Sequence, residues 1–196
     1  RVFDDTLWRM VSWLDRHERA MVAGCRLIDE SARVIRQARR FPALFDQLAI
    51  ILKIPHLFPG FLNKYLISDF DYNKTASVDS IRGGFFMIKR ETVKKVGLLD
   101  ERYFLWFEEV DYCRCVKMAG GEIWYVATVE CIDLMGQSFK QVENMAKQKY
   151  FRDSMLKYFK KWRPAYEYWL LRLAWPFGIL LVWLGERLKI AGRART

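Results

Sequence analysis

Three carboxylates stand within four residues at Glu108, Glu109 and Asp111, and the apolar run Phe104, Leu105, Trp106 and Phe107 leads directly into them. On a helix, Glu108 and Asp111 lie three apart and share a face, while Glu109 points about 100° away toward a different neighbour. An apolar wall penalises the charged form of a carboxylate and raises its pKa, which suits it to take a proton from a hydroxyl near neutral pH. The same spacing has a second reading: acidic side chains near a helix N-terminus are favoured by the helix dipole without any chemistry. Upstream, Arg82-Gly83-Gly84 sets a cation beside two residues that permit close backbone approach. The arginine can meet a phosphate there, or pair with a carboxylate. Asp100 reads as a turn cap. Cys25, Cys113, Cys115 and Cys131, with His17 and His56, match no zinc spacing. The thiols are expected to be reduced and to serve as small apolar core residues, as in a cytosolic protein.

The elements that must position these groups alternate between helix and strand. Asp5 stands in the cap position of a first helix, in which Leu7, Met10, Val11 and Leu14 repeat at helical spacing up to His17. Residues 21–28 read as a strand, 29–31 as a turn and 33–37 as a returning strand. A second helix is expected over 41–52, then a long irregular connection over 54–77. Residues 80–89 read as a buried strand with Gly83-Gly84 at its entrance. A short helix over 91–96 ends at Gly97, the acidic helix covers 107–118, and 123–126 is a strand. Ser138 is placed to cap a long basic helix reaching about Trp162. This alternation predicts an α/β layered domain over 1–137, followed by a basic, hydrophobic tail over 138–196.

With 196 residues, 52% apolar and 16% aromatic, the chain can build a packed core, which excludes global disorder. Its net charge of +10 is uneven: residues 140–196 alone carry 13 basic and 4 acidic side chains. A basic end beside a neutral body points to an anionic partner. Residues 173–185 hold no charge, Trp169, Trp175 and Trp183 suit a membrane interface, and both flanks are basic. The expectation is an interfacial or shallow membrane helix meeting anionic lipid through 157–195. A hydrophobic helix docked on the body is the other reading. Basic residues interleaved with Tyr150, Phe151, Tyr158 and Phe159 also resemble a nucleic-acid surface. A solvated amphipathic helix explains them equally well, and no nucleic acid is expected as partner.

In order and spacing the motifs resemble a known family. The stretches are Arg82-Gly83-Gly84-Phe85-Phe86-Met87-Ile88-Lys89-Arg90, the run from Gly97 to Phe104, Phe107-Glu108-Glu109-Val110-Asp111-Tyr112-Cys113, Ala119-Gly120 through Val126, and Cys131-Ile132-Asp133 through Ser138. Together they resemble the acceptor-side half of family 2 inverting glycosyltransferases of the GT-A fold, in particular the rhamnosyltransferase-like branch. The stretch from Asp5 through Arg39-Arg40-Phe41-Pro42 is similar to that family's middle section.

The resemblance implies an incomplete GT-A domain, Rossmann-like with a mixed sheet, whose nucleotide-binding half and metal-binding D-x-D motif would precede this chain. It implies transfer of a sugar from a nucleotide-diphospho-sugar, with inversion, to a saccharide or lipid-linked acceptor, in cell-envelope polysaccharide synthesis at the cytoplasmic face of the membrane. The protein there would be peripheral or tail-anchored. The family's catalytic Asp falls on Glu109, which becomes the general base. Arg82, Gly83, Gly84, Asp100, Glu108 and Asp111 fall around the acceptor. The family's metal-binding His falls on Asp133, a suitable carboxylate ligand for Mg²⁺ or Mn²⁺. The family's helix Arg falls on Cys115 and its Pro after the strand on Ala127. These departures leave two readings: a divergent active subfamily, or a catalytically inactive membrane-binding remnant.

Overall fold

The computed structural model describes residues 1–134 and 144–193. The order is α1 (Thr6–Asp15), β1 (Ala20–Ile28), α2 (Leu44–Ile51), single 3₁₀ turns at Ile54–His56 and Pro59–Leu62, and α3 (Asn63–Leu66). It continues with β2 (Ala76–Val78), β3 (Met87–Ile88), α4 (Arg90–Val96), α5 (Glu108–Met118), β4 (Glu122–Ile132), α6 (Asn144–Trp162) and α7 (Ala165–Arg193). The protein is thus a mixed α/β chain with a four-stranded mixed sheet in the order β2-β4-β1-β3. β1 and β4 run parallel along nearly their whole lengths, while β2 on β4 and β3 on β1 are antiparallel.

β1 reads as an almost unbroken apolar run because both faces of the central pair are covered. Its side chains alternate. Ala23, Cys25 and Leu27 pack under α1 with Met10, Trp13 and Leu14. Val22 faces the other way, toward Tyr112, Cys113 and Val116 of α5. A third cluster lies away from the sheet, where Leu44 and Ile51 of α2 meet Met155, Tyr158 and Phe159 of α6, and Leu171 and Trp175 of α7. All four cysteines are free thiols, and Cys25, Cys113 and Cys131 are buried.

Several expectations shift. Residues 80–89 form no continuous strand. Ser80 makes one bridge with Arg39, and only Met87 and Ile88 pair with β1. Between them the chain crosses the face of β1: a Cβ on Gly24 would sit 2.6 Å from Ile81 Cδ1 and 3.0 Å from the Phe85 carbonyl. Residues 33–37 do run beside β1, with Ile35 N donating to Leu27 O at 2.8 Å. The next rung is a side chain, Gln37 Nε2 donating to Cys25 O at 2.6 Å, so the main-chain ladder stops. Asp5 occupies the cap position of α1 but makes no capping bond. It pairs with Arg9 at 3.4 Å, while Thr6 Oγ1 accepts from Phe3 N at 3.0 Å. α2 begins at Leu44, after Phe41-Pro42, because Asp46 accepts from Ala43 N at 3.0 Å and fixes the start there. β4 extends well past Val126 to Ile132, drawn out by its pairing with β1. Ser138 and Lys140 lie outside the described residues. No helix among the described residues is long and apolar enough to cross a membrane.

Candidate active site at the start of α5

α5 begins with an unusual backbone. Trp106 (φ 61°) and Phe107 (φ 68°) both take the left-handed conformation, although neither is glycine. Each such residue costs about 1–2 kcal/mol and persists only where its surroundings hold it. Phe107 is buried in the third cluster, its ring centroid 5.6 Å from that of Phe151 and 5.6 Å from that of Tyr158. Its carbonyl accepts from Asp111 N at 2.8 Å, and the chain turns abruptly into the helix. Glu108 and Glu109 are therefore delivered in the first turn.

Both glutamates are half-buried, and each has its Oε2 shut away from solvent with no hydrogen-bond partner. Burial pushes the Glu109 carboxyl up to about 7; the charge of Glu108 adds to this, while nearby amides of α5 and the Arg82 cation oppose it. Burial also raises Glu108. A buried oxygen without a partner is rare enough to call for a reason, and a catalytic role is one such reason. The first-turn position that stabilises anions by the helix dipole is also present, so both readings of these carboxylates describe the same geometry.

The Gly83-Gly84 segment lies against this point. A Cβ on Gly83 would sit 4.0 Å from Glu109 Cβ, an ordinary van der Waals contact. A Cβ on Gly84 would sit 2.9 Å from Leu27 Cδ1 and 3.1 Å from Asp133 Oδ2, so a side chain there forces a shift. Arg82 Nη1 stands 4.0 Å from Asp133 Oδ2. Leu27 and Asp133 mark the carboxyl ends of the parallel strands β1 and β4, the position where crevices open in sheets of this kind. Arg82, Gly83, Gly84, Glu108, Glu109 and Asp133 therefore come together.

Asp100 and Asp111 do not join them. Asp111 is turned about 200° around α5 from Glu109. Buried, it accepts from Lys161 Nζ at 2.8 Å, Trp162 Nε1 at 2.6 Å and Tyr103 Oη at 3.2 Å. Asp100 accepts from Arg102 Nε at 2.8 Å and from Lys161 at 3.4 Å, and the Arg102 bonds hold its carboxyl well below the usual range. Burial alone would lower the Lys161 ammonium, but its bonds to the two aspartates outweigh this and raise it. This second acidic group fastens α5 and its preceding loop to the end of α6.

Asp133 is a poor start for a cation site. Its nearest charged neighbour is a guanidinium, and among the described residues no three His, Cys, Asp or Glu side chains gather.

Two residues near the site went unnoticed in the sequence. Tyr65 lies within the field of Glu109, and its hydroxyl is pushed up to about 12, chiefly by burial. Gln47 is fully buried on the packed face of α2, beside the Tyr65 hydroxyl. A polar residue at a helical-core spacing between Leu44 and Ile51 was the available signal for Gln47. Tyr65 had none. No protein-family model matches the chain, and no curated protein matches it.

Proposed function

We propose that the chain carries the acceptor-activating part of an inverting glycosyltransferase, with Glu109 as general base. The observation that carries the reading is the Glu109 carboxyl. It is raised to about 7, lacks a partner for one oxygen, and faces a glycine segment at the carboxyl ends of parallel strands. A base near pH 7 combines a useful ionised fraction with real proton affinity.

The acceptor hydroxyl lies over Gly83 and gives its proton to the Glu109 carboxylate. Its oxygen forms the new bond to the anomeric carbon of a nucleotide-diphospho-sugar. The bond from that carbon to the diphosphate oxygen breaks, and the electron pair leaves with the diphosphate. Glu108 raises the proton affinity of Glu109, and Arg82 supplies positive charge on the side of Asp133. Asp133 is the residue that would hold Mg²⁺ or Mn²⁺, and no step here is routed through the ion.

The test uses the enzyme joined to its nucleotide-binding half and measures release of nucleoside diphosphate from a panel of UDP- and dTDP-sugars, with a lipid-linked saccharide as acceptor. Glu109→Gln is expected to lower turnover by roughly 10²–10⁴-fold with donor binding retained. Unchanged turnover in that variant removes Glu109 from the role. A parent protein that neither binds nor cleaves any of these donors overturns the reading.

A further inference from the structure

We propose that α6 and α7 form an anionic-lipid docking face, in which α7 lies in the plane of the bilayer and the α6–α7 cleft holds lipid phosphates. The proposal stands apart from the catalytic reading. It begins with the angular distribution of side chains around α7. Glu167, Leu171, Trp175 and Gly178 are buried, at spacings of four, four and three. They form one stripe, packed on α2 and α6, and a Cβ on Gly178 would meet the Ile51 carbonyl at 2.7 Å. Trp169, Leu170, Leu173, Phe177, Leu180 and Leu181 are all exposed and repeat at spacings of one, three, four, three and one. They form a second, broader stripe whose centre lies about 135° around the helix from the first.

Between the stripes lies a charged sector. A cleft of about 540 Å³ opens between α6 and α7, lined by Arg152, Lys157, Lys160 and Arg172 with Tyr168, Trp175 and few other residues. Asp153 is the only acidic side chain in its wall, so the lining is strongly positive. Three of the four cations are held in place, and Arg152 also pairs with Asp153 at 2.7 Å. Arg152 lies over the Trp175 ring at 5.7 Å, Arg172 lies over Trp169 at 5.5 Å and donates to Tyr168 Oη at 2.9 Å, and Lys157 Nζ donates to the Arg102 carbonyl.

This arrangement selects the occupant. A hydrophobic stripe bordered by a cationic cleft and aromatic rings matches a surface that is apolar inside and anionic at its rim, which is a bilayer containing acidic phospholipids. A spanning pose does not fit, because one side of α7 is already committed to the protein core. Charge complementarity argues against a purely zwitterionic membrane.

Co-sedimentation of the full chain with phosphatidylcholine vesicles, with and without phosphatidylglycerol, tests the proposal. Strong binding to the anionic vesicles, weakened by salt, is expected. Lys160→Gln with Arg172→Gln should weaken it roughly thirtyfold, from the attraction per charge at an anionic surface. Leu173→Asp with Phe177→Asp should abolish it; both positions are exposed, and an unchanged melting curve confirms the fold. Equal binding to both vesicle types, or unaltered binding by the double glutamine variant, overturns the proposal. So does a dimer in solution that Phe177→Asp dissociates, which would give the stripe to a second copy. Free glycerol phosphate binding as tightly as vesicles would move the cleft to a soluble ligand and overturn it equally.

Discussion

At the level of single residues, the Glu109 carboxyl links pH to stability and to chemistry in opposite directions. Its folded value, about 7, lies above the ordinary 4.5, so the folded state keeps a proton that the unfolded chain releases. Below 4.5 both states are protonated and the group is neutral in its effect. As pH rises from 4.5 to about 7 the unfolded state gains relative to the folded one, and stability falls by roughly 3 kcal/mol before levelling off. Glu108 acts in the same sense. Urea unfolding across this range should therefore show a Glu109→Gln variant losing less stability than the parent; parallel profiles would place the carboxyl in solvent. Transfer activity should rise with pH over the same interval as the base ionises. Asp100 has the reverse sign: its depressed carboxyl contributes stability that disappears on acidification. The two glycines also differ. Gly84→Ala should cost about 1–3 kcal/mol because it presses on Leu27 and Asp133, whereas Gly83→Ala should fold normally and raise the acceptor KM. Equal melting temperatures for the two variants would contradict this packing.

At the level of elements, Asp111 ties α5 to the end of α6 through three donors. Asp111→Ala leaves Trp162 Nε1 and Lys161 without their acceptor in a mostly buried place, and should cost about 3 kcal/mol in thermal or urea unfolding. Its effect on catalysis should follow from that instability rather than from the chemistry. The limits of sequence reading are clearest here. Helical spacing located α1, a short apolar run located β1, and stops at Gly97 and Gly120 located α4 and α5, because these signals are local in the chain. Local reading failed for 80–89, where a stretch interrupted by Arg82-Gly83-Gly84 crosses β1 instead of extending the sheet, since Gly24 lets the Phe85 carbonyl approach and Gly84 fits against the Leu27 and Asp133 side chains. It also failed for 33–37, where a buried glutamine side chain takes the place of a backbone rung. At the site, the acidic cluster around Glu109 was visible as residue types. The left-handed pair Trp106-Phe107 that aims it was invisible, because its cause is the distant contact of Phe107 with Phe151 and Tyr158. Asp100 and Asp111 looked like site residues because spacing places them nearby in the chain, while Lys161, the partner they share, sits some fifty to sixty residues later.

Across the whole molecule, the charge imbalance and the third core cluster meet in one place. The basic residues of α6 and α7 border a helix whose inner stripe completes the packing of α2 and α6. The docked reading of the C-terminal segment describes the inner side of this helix, and the proposed lipid face takes the outer one. Leu171 and Trp175 serve the fold, while Leu173 and Phe177 face outward. That division has a thermodynamic consequence. A surface that engages only the folded arrangement of α7 adds its binding free energy to the stability of the entire chain, by about 2.7 kcal/mol when accessible lipid is a hundredfold above its dissociation constant. Anionic vesicles should accordingly raise the melting temperature of the α/β body itself, including the β1–β4 pair far from the lipid. The protein would then be most firmly folded only where it is also bound.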